Sequence, residues 1–200
     1  MSIKLWYSAA SPFVRKVMVF AHETGLAASL ELATGQVWNE DSPINKDNPI
    51  GKVPALVTPD GVFAGSFLCC EYLDSLHPGP RLIPNDPRER WPALQLHAFA
   101  DGIIEAAVAS VVEQVRRPKE FVYQGNLDRQ KAKILRTLDK VKTMPLPKKI
   151  DIGAVTLGCA LGYLDFRMPQ LGWREGRPEL SAWYEVFSAR DSMKATQPKL

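Results

Sequence analysis

The 200-residue sequence has few cysteines, no long apolar run and no visible leader, and each scarcity excludes a class of protein. Its three cysteines, Cys69, Cys70 and Cys159, give neither a disulfide framework nor a zinc-binding spacing. The longest uncharged apolar segment lies between Asp151 and Asp165 and has thirteen residues, fewer than the roughly 18 that a membrane-spanning helix needs. We therefore expect a cytoplasmic protein from a reducing compartment, with no metal site and no membrane partner.

Positively and negatively charged residues are nearly balanced in number. The formal net charge of +3 is too small to indicate a nucleic acid or an anionic membrane as a partner. The signs are mixed along the chain, as in LDRQKAKILRTLDKVK (127–142), which is typical of a solvated helix face. The length allows one large or two small domains with a substantial core.

The first third of the chain alternates between strand and helix patterns. Apolar residues at helical spacing follow Pro12, and an Asp60-Gly61 pair joins two short apolar runs as a hairpin. The predicted elements are strand 3–7, helix 12–24, strand 29–33, a hairpin around 60–61 and helix 66–76. This order predicts an α/β domain with a mixed sheet over residues 1–77.

The rest of the chain has helical patterns only. Four prolines in 77–90 indicate a linker, which we place at 78–86, and residues 87–200 are predicted to form an all-helical domain. The predicted helices cover about 93–115, 127–143, a segment starting at the N-cap Asp151, and 179–189. Pro92 is expected to kink the first of these helices or to delay its start. The predicted fold class is therefore α/β plus all-α.

Ser11 and Pro12 mark the junction between the first strand and the first helix. Ser-Pro at a helix start is most often only a cap. Here the pair lies at the carboxyl end of a β-α-β unit, where helix N-termini favour anions. Because SPFV has no cysteine pair for dithiol chemistry, Ser11 is a candidate to stabilise a thiolate that belongs to a ligand. Arg15, one turn later, is expected on the exposed side of the helix.

Two further motifs are candidates for ligand binding. In NPIGKVPAL (48–56), Pro54 leaves neighbouring backbone groups without a ladder partner, so an extended peptide can pair with Val53. In GSFLCCEYL (65–73), Ser66 caps a helix whose first amides can receive a carboxylate.

Together, SPFVRKV, NPIGKVPALV and S-x-x-C-x-E-Y-L resemble the thioredoxin-like half of cytosolic glutathione S-transferases, and among these the bacterial-type, serine-dependent members. The resemblance continues through FADGI (99–103) and GCALGYLDFR (158–167). It implies a thioredoxin-like N-terminal domain, a C-terminal helical bundle, glutathione as cosubstrate and a homodimer.

The resemblance also implies roles for single residues. Ser11 would hydrogen-bond the glutathione sulfur, Val53 would pair with the cysteinyl unit beside a cis Pro54, and Ser66 would bind the γ-glutamyl carboxylate. Lys52 or Asn39 would reach the glycyl end.

One position departs from the family pattern, and one residue competes with Ser11. Gly65 stands where the family has an acidic residue to pair with the γ-glutamyl ammonium, so weaker glutathione binding is expected unless Asp101 or an acidic residue of a partner subunit takes that role. Tyr7 ends the first strand, where some branches of the family carry a thiol-activating tyrosine, although packing at the strand end is the simpler interpretation. Tyr7, Ile103 and Ala106 are candidates for an electrophile pocket in the cleft between the domains.

The predicted function is addition of glutathione thiolate to a small electrophile, or glutathione-dependent reduction of a peroxide. The sequence leaves two alternatives open: a non-catalytic glutathione-fold binding protein with a weakened site, and a glutathione-dependent isomerase.

Overall fold

The computed structural model describes residues 3–199, which divide into two compact units. The first unit comprises the chain up to Ile83 together with the segment from Arg190 onwards, and the second comprises Pro84–Ala189. The first is an α/β unit with a thioredoxin-like mixed sheet and the second is all-helical, as the sequence predicts.

The first unit is built on a four-stranded sheet in the order β2-β1-β3-β4. The β1 strand pairs in parallel with β2 and antiparallel with β3, which forms a hairpin with β4. A right-handed crossover through α1 is the connection expected between the parallel strands. The elements are β1 (Ile3–Tyr7), α1 (Pro12–Glu23), β2 (Leu30–Thr34), α2 (Ile44–Asp47), β3 (Ala55–Thr58), β4 (Gly61–Ala64), α3 (Ser66–Ser75) and α8 (Asp191–Ala195).

The second unit packs α4 against both α5 and α6, and α6 against α7. Its core helix is α6, of which thirteen residues are buried, and Asp151 caps this helix by accepting a 2.8 Å hydrogen bond from the Ala154 amide. The elements are α4 (Pro87–Arg116), α5 (Gln124–Val141), α6 (Ile152–Arg167) and α7 (Pro178–Ser188).

Pro92 does not delay the helix that contains it. The α4 helix begins at Pro87, where Asp86 accepts a 2.9 Å hydrogen bond from the Arg88 amide. Pro92 lies inside the helix, near its N-terminal end. A proline there removes one amide donor, while the cap at Asp86 and the proline at the first helical position favour an early start.

The last residues of the chain belong with the first unit, which differs from the predicted domain boundary. Arg190 donates two 2.7 Å hydrogen bonds to the Glu23 carboxylate, and Ser192 also donates to it. The expected exposure of Arg15 is wrong, because Arg15 is only 8% exposed and donates a 3.1 Å hydrogen bond to the Met193 carbonyl.

Within residues 3–199, no helix combines the length and apolar character that crossing a membrane requires.

Candidate functional site

The strand register brings the ends of all four strands to one edge of the sheet. We call it the carboxyl edge, because β1, β2 and β4 end there and β3 begins there. The pairs Trp6 with Ala55 and Ala55 with Ala64 fix this alignment. Ser11 follows β1, Val53 and Pro54 precede β3, and Gly65 and Ser66 follow β4. Three candidate segments that are distant in sequence therefore meet at one edge.

Ser11 is the N-cap of α1. Its hydroxyl oxygen accepts a 3.3 Å hydrogen bond from the Val14 amide, and its own amide donates a 3.1 Å bond to the Ser8 carbonyl. Since the oxygen acts as acceptor in the cap, the hydroxyl proton is available to donate to another group. The side chain is partly exposed, and no acidic residue lies in the first turn of α1, so the positive end of this helix is not neutralised locally.

The segment before β3 is held in place by a buried asparagine. Asn48 is 1% exposed, and its side chain donates a 2.8 Å hydrogen bond to the Lys52 carbonyl and accepts a 3.1 Å bond from the Ile50 amide. These bonds fix the turn that delivers Val53, whose amide and carbonyl make no backbone hydrogen bond with any of residues 3–199. The Val53–Pro54 peptide bond is cis, as the family resemblance implies.

Gly65 joins β4 to α3 in a conformation that favours glycine. Its φ is +93° and its ψ is 137°. The Gly65 amide donates a 3.2 Å hydrogen bond to the Pro54 carbonyl, and its carbonyl accepts a 3.0 Å bond from the Cys69 amide. Ser66, 7% exposed, is the first residue of α3, where backbone amides lack partners within the helix. Val53, Pro54 and the positive end of α3 are thus directly connected.

Asn39 and Lys52 are exposed and lie in the segment between β2 and β3. That segment is tied to the sheet by Asp47, which accepts a 2.6 Å bond from Lys4 and a 2.8 Å bond from the Trp6 indole. The hydrogen bond from Lys4, followed by that from Trp6, holds the pKa of the Asp47 carboxyl below its ordinary value. The sequence-based prediction missed Asp47, and it included Asn48 only as part of the NPIGKVPAL motif, without the role of its side chain. A side chain that fixes a turn by hydrogen bonds gives no local sequence signal beyond its place in that turn.

The other candidates lie on separate elements. Tyr7 is half-buried at the end of β1, whereas Ile103 is 0% and Ala106 3% exposed in α4 of the second unit. Cys69, on α3, is buried, at 0% exposure. Desolvation by burial raises the pKa of this thiol to about 12.

Comparisons with known proteins concern the family and the fold of the chain. The model of the glutathione S-transferase N-terminal domain matches residues 5–81, and that of the C-terminal domain matches residues 124–185. The chain is 34% identical to the uncharacterised GST-like protein YibF of Escherichia coli (strain K12), over 98% of each chain.

Two solved structures are similar over nearly their whole length. A glutathione transferase family member from Pseudomonas fluorescens Pf-5, with bound glutathione, is 43% identical with a TM-score of 0.94, covering 100% of both chains. A glutathione S-transferase from Methylobacillus flagellatus KT, with GSH bound, is 33% identical with a TM-score of 0.90, covering 99% of this chain and 100% of the other.

Proposed function

The chain belongs to the glutathione S-transferase family, and we propose that it is a serine-dependent glutathione transferase that adds glutathione thiolate to a small electrophile. The observation that carries the proposal is the convergence of Ser11, Val53 and Ser66 at the carboxyl edge. Bound glutathione in the relative from Pseudomonas fluorescens supports the choice of ligand.

Ser11 stabilises the reacting sulfur in this proposal. Its hydroxyl, held by the Val14 amide, donates to the thiolate, and the positive end of α1 adds a favourable field. Both effects favour the charged form and lower the thiol pKa below its ordinary value of about 8.5. A larger fraction of the bound glutathione is then nucleophilic at neutral pH.

The remaining glutathione contacts come from backbone groups and short polar side chains. The amide and carbonyl of Val53 pair with the cysteinyl unit as an added strand does. Ser66 and the first amides of α3 bind the γ-glutamyl carboxylate. Lys52 or Asn39, both exposed, reaches the glycyl carboxylate. Positioning the thiolate against an electrophile supplies the rest of the rate enhancement.

The same thiolate can instead attack a peroxide. The S–O bond forms as the O–O bond breaks and an alcohol leaves, and a second glutathione then displaces water from the sulfenic acid to give glutathione disulfide. The proposal also includes a homodimer located in the cytoplasm. Which reaction takes place depends on the electrophile that binds. An apolar pocket discriminates poorly between similar small molecules.

A second candidate is a non-catalytic glutathione-binding protein, and Gly65 is the observation that favours it. A glycine cannot pair with the γ-glutamyl ammonium. One missing charged hydrogen bond costs about 1.5–3 kcal/mol, or about ten- to a hundred-fold in Kd. Binding with no lowering of the thiol pKa and no turnover would identify this candidate, whereas turnover without net consumption of glutathione would identify an isomerase.

The test compares Ser11→Ala with Tyr7→Phe for glutathione binding by calorimetry and for turnover with a general electrophile. We expect Ser11→Ala to raise the thiol pKa of bound glutathione by about one to two units and to reduce turnover at neutral pH correspondingly. Tyr7→Phe should retain both. The opposite pattern would mean that Tyr7 is the activating hydroxyl and that the assignment of Ser11 is wrong.

A further inference from the structure

The positive charge of this protein is concentrated in one segment. Residues 124–149 contain eight Lys and Arg against two Asp, a net charge of +6, so the other 174 residues together carry −3 of the total of +3. The balanced whole-chain charge, from which no polyanionic partner is expected, therefore conceals a strongly basic region on α5 and the loop that follows it.

Four of these cations form a row along α5. Arg129, Lys133, Arg136 and Lys140 are spaced at i, i+4, i+7 and i+11, which places them on one helix face. We call this row the basic stripe. All four residues are exposed, and the buried residues Ile134, Leu138 and Val141 occupy the opposite face. At 1.5 Å per residue the stripe is about 16 Å long.

The basic stripe is not neutralised by the protein itself. Within residues 3–199 none of its four members forms an ion pair, and Lys133 only donates a 3.3 Å hydrogen bond to Gln130. Of the two acids of α5, Asp139 is paired with cations outside the stripe, 2.8 Å from Arg177 and 3.5 Å from Lys142. Asp128 accepts a 2.9 Å hydrogen bond from the neutral Gln124 and keeps its charge, but among the described residues it forms no ion pair with a member of the stripe. Like charges one turn apart destabilise a helix slightly, and an anionic partner on this face would relieve that repulsion.

Exposed aromatic and aliphatic side chains precede the stripe in the sequence, and one of them, Tyr123, lies at its N-terminal end. The Tyr123 ring lies against Gly125, since a Cβ on that glycine would come within 2.8 Å of it. Gly125 is four residues before Arg129 and so shares its face. Tyr123 is 70% exposed, and Phe121 and Val115 are each 66% exposed in or beside the connection from α4 to α5.

From these observations we propose that the basic stripe docks the protein on an anionic phospholipid surface. Lys and Arg bind the headgroup charges of such a surface, and tyrosine and phenylalanine enter its interfacial layer. A nucleic acid would use the same cations, and its bases can stack on Phe121, but it offers no apolar layer for Val115, which is 66% exposed. This exposed aliphatic side chain therefore favours lipid. The surface lies on the second unit and is distinct from the carboxyl edge that carries the proposed glutathione site.

The experiment is flotation of the full chain with vesicles of phosphatidylcholine alone or mixed with phosphatidylglycerol. We expect binding only to the anionic vesicles. Raising the ionic strength from about 0.1 M to about 1 M, which shortens the Debye length from about 10 Å to about 3 Å, should release the protein. Equal binding to neutral vesicles, or binding that survives high salt, would overturn the proposal.

Two double variants locate the surface. Lys133→Gln with Arg136→Gln removes two stripe cations and should weaken binding to anionic vesicles by about 30-fold, since each cation contributes about fivefold. Arg88→Gln with Lys194→Gln removes the same charge from exposed positions outside residues 124–149 and should leave binding unchanged. Equal weakening in both would show that only net charge matters and would refute a docking surface.

Glutamine is a good helix former, so the stripe variant should melt no earlier than the wild type, because it relieves repulsion. It should also retain the wild-type glutathione affinity, which separates this proposal from the proposed function.

Phe121→Ser should weaken vesicle binding without altering its salt dependence. Failure to bind anionic vesicles would overturn the lipid proposal, and stripe-dependent binding of an oligonucleotide in that case would assign the surface to nucleic acid.

Discussion

Replacing Gly65 by glutamate is expected to lower the thermal stability of the protein and, at the same time, to raise its affinity for glutathione. Gly65 forms the junction between β4 and α3. Gly65 has a φ of +93°, which L-residues rarely adopt, and its backbone is held on both sides, by the Pro54 carbonyl at 3.2 Å and by the Cys69 amide at 3.0 Å. The strain therefore has little room to relax. A Cβ built at this position meets nothing within 4 Å, so the cost is one of conformation and not of steric overlap.

Strain of this kind costs about 1–3 kcal/mol. At about 2–4 °C per kcal/mol for a chain of this size, Gly65→Glu should melt about 2–12 °C below the wild type. The strain is present in both the free and the bound protein and cancels in the binding free energy. The carboxylate is expected to pair with the γ-glutamyl ammonium and to lower the Kd for glutathione by about ten- to a hundred-fold.

Calorimetry and thermal melting of Gly65→Glu, Gly65→Gln and Gly65→Ala test this reasoning. All three variants should melt early, because all three place a side chain at the same φ. Only the glutamate should give the full gain in affinity, and the alanine should give none. If Gly65→Glu melts early but binds glutathione no more tightly than Gly65→Ala, then the residue does not face the γ-glutamyl ammonium, or another acid already does.

Three further predictions concern the scaffold. The hydrogen bond from Arg190 holds the pKa of Glu23 below its ordinary value. The Glu23 carboxylate therefore stabilises the fold above about pH 4.3 and loses that effect as the pH falls through its folded pKa. Glu23→Gln should accordingly melt below the wild type at pH 7, and this difference should vanish in acid. Burial raises the pKa of Asp151, so its charge lowers the stability of the fold as the pH rises above about 3.9. Asp151→Asn keeps the capping oxygen and should be at least as stable as the wild type at pH 7. Asp151→Ala, which removes the cap, should lower the free energy of unfolding by about 0.5–2 kcal/mol. The three cysteines are buried and the pKa of Cys69 is raised to about 12, so a thiol reagent should label the native protein far more slowly than the unfolded chain, and fast native labelling would contradict this.

The elements that the sequence predicts well are those with strong local signals. Strand 3–7, the Asp60-Gly61 hairpin and the caps at Ser11 and Asp151 agree with the structure, because each depends on a few neighbouring residues. The α4 helix is longer than predicted, since the cap at Asp86 outweighs the effect of Pro92.

What the sequence does not predict is set by contacts between distant residues. The return of the segment after Arg190 to α1 depends on Glu23, 167 residues earlier, and no local pattern indicates that pairing. The return of the same segment also buries Arg15, which donates a hydrogen bond to the Met193 carbonyl. Gly65 is visible as a departure from the family pattern, but its positive φ follows from joining the hairpin to α3 and becomes apparent only in the structure.

The measurement that tests the central claim most directly is the ultraviolet thiolate absorbance of glutathione bound to the wild-type protein, followed across pH. If Ser11 and the positive end of α1 stabilise the thiolate, the apparent pKa of the bound thiol lies below its ordinary value of about 8.5, and Ser11→Ala returns it towards that value. A bound thiol that titrates near about 8.5, unaffected by Ser11→Ala, would contradict the proposed role of Ser11 and favour a protein that binds glutathione without activating it.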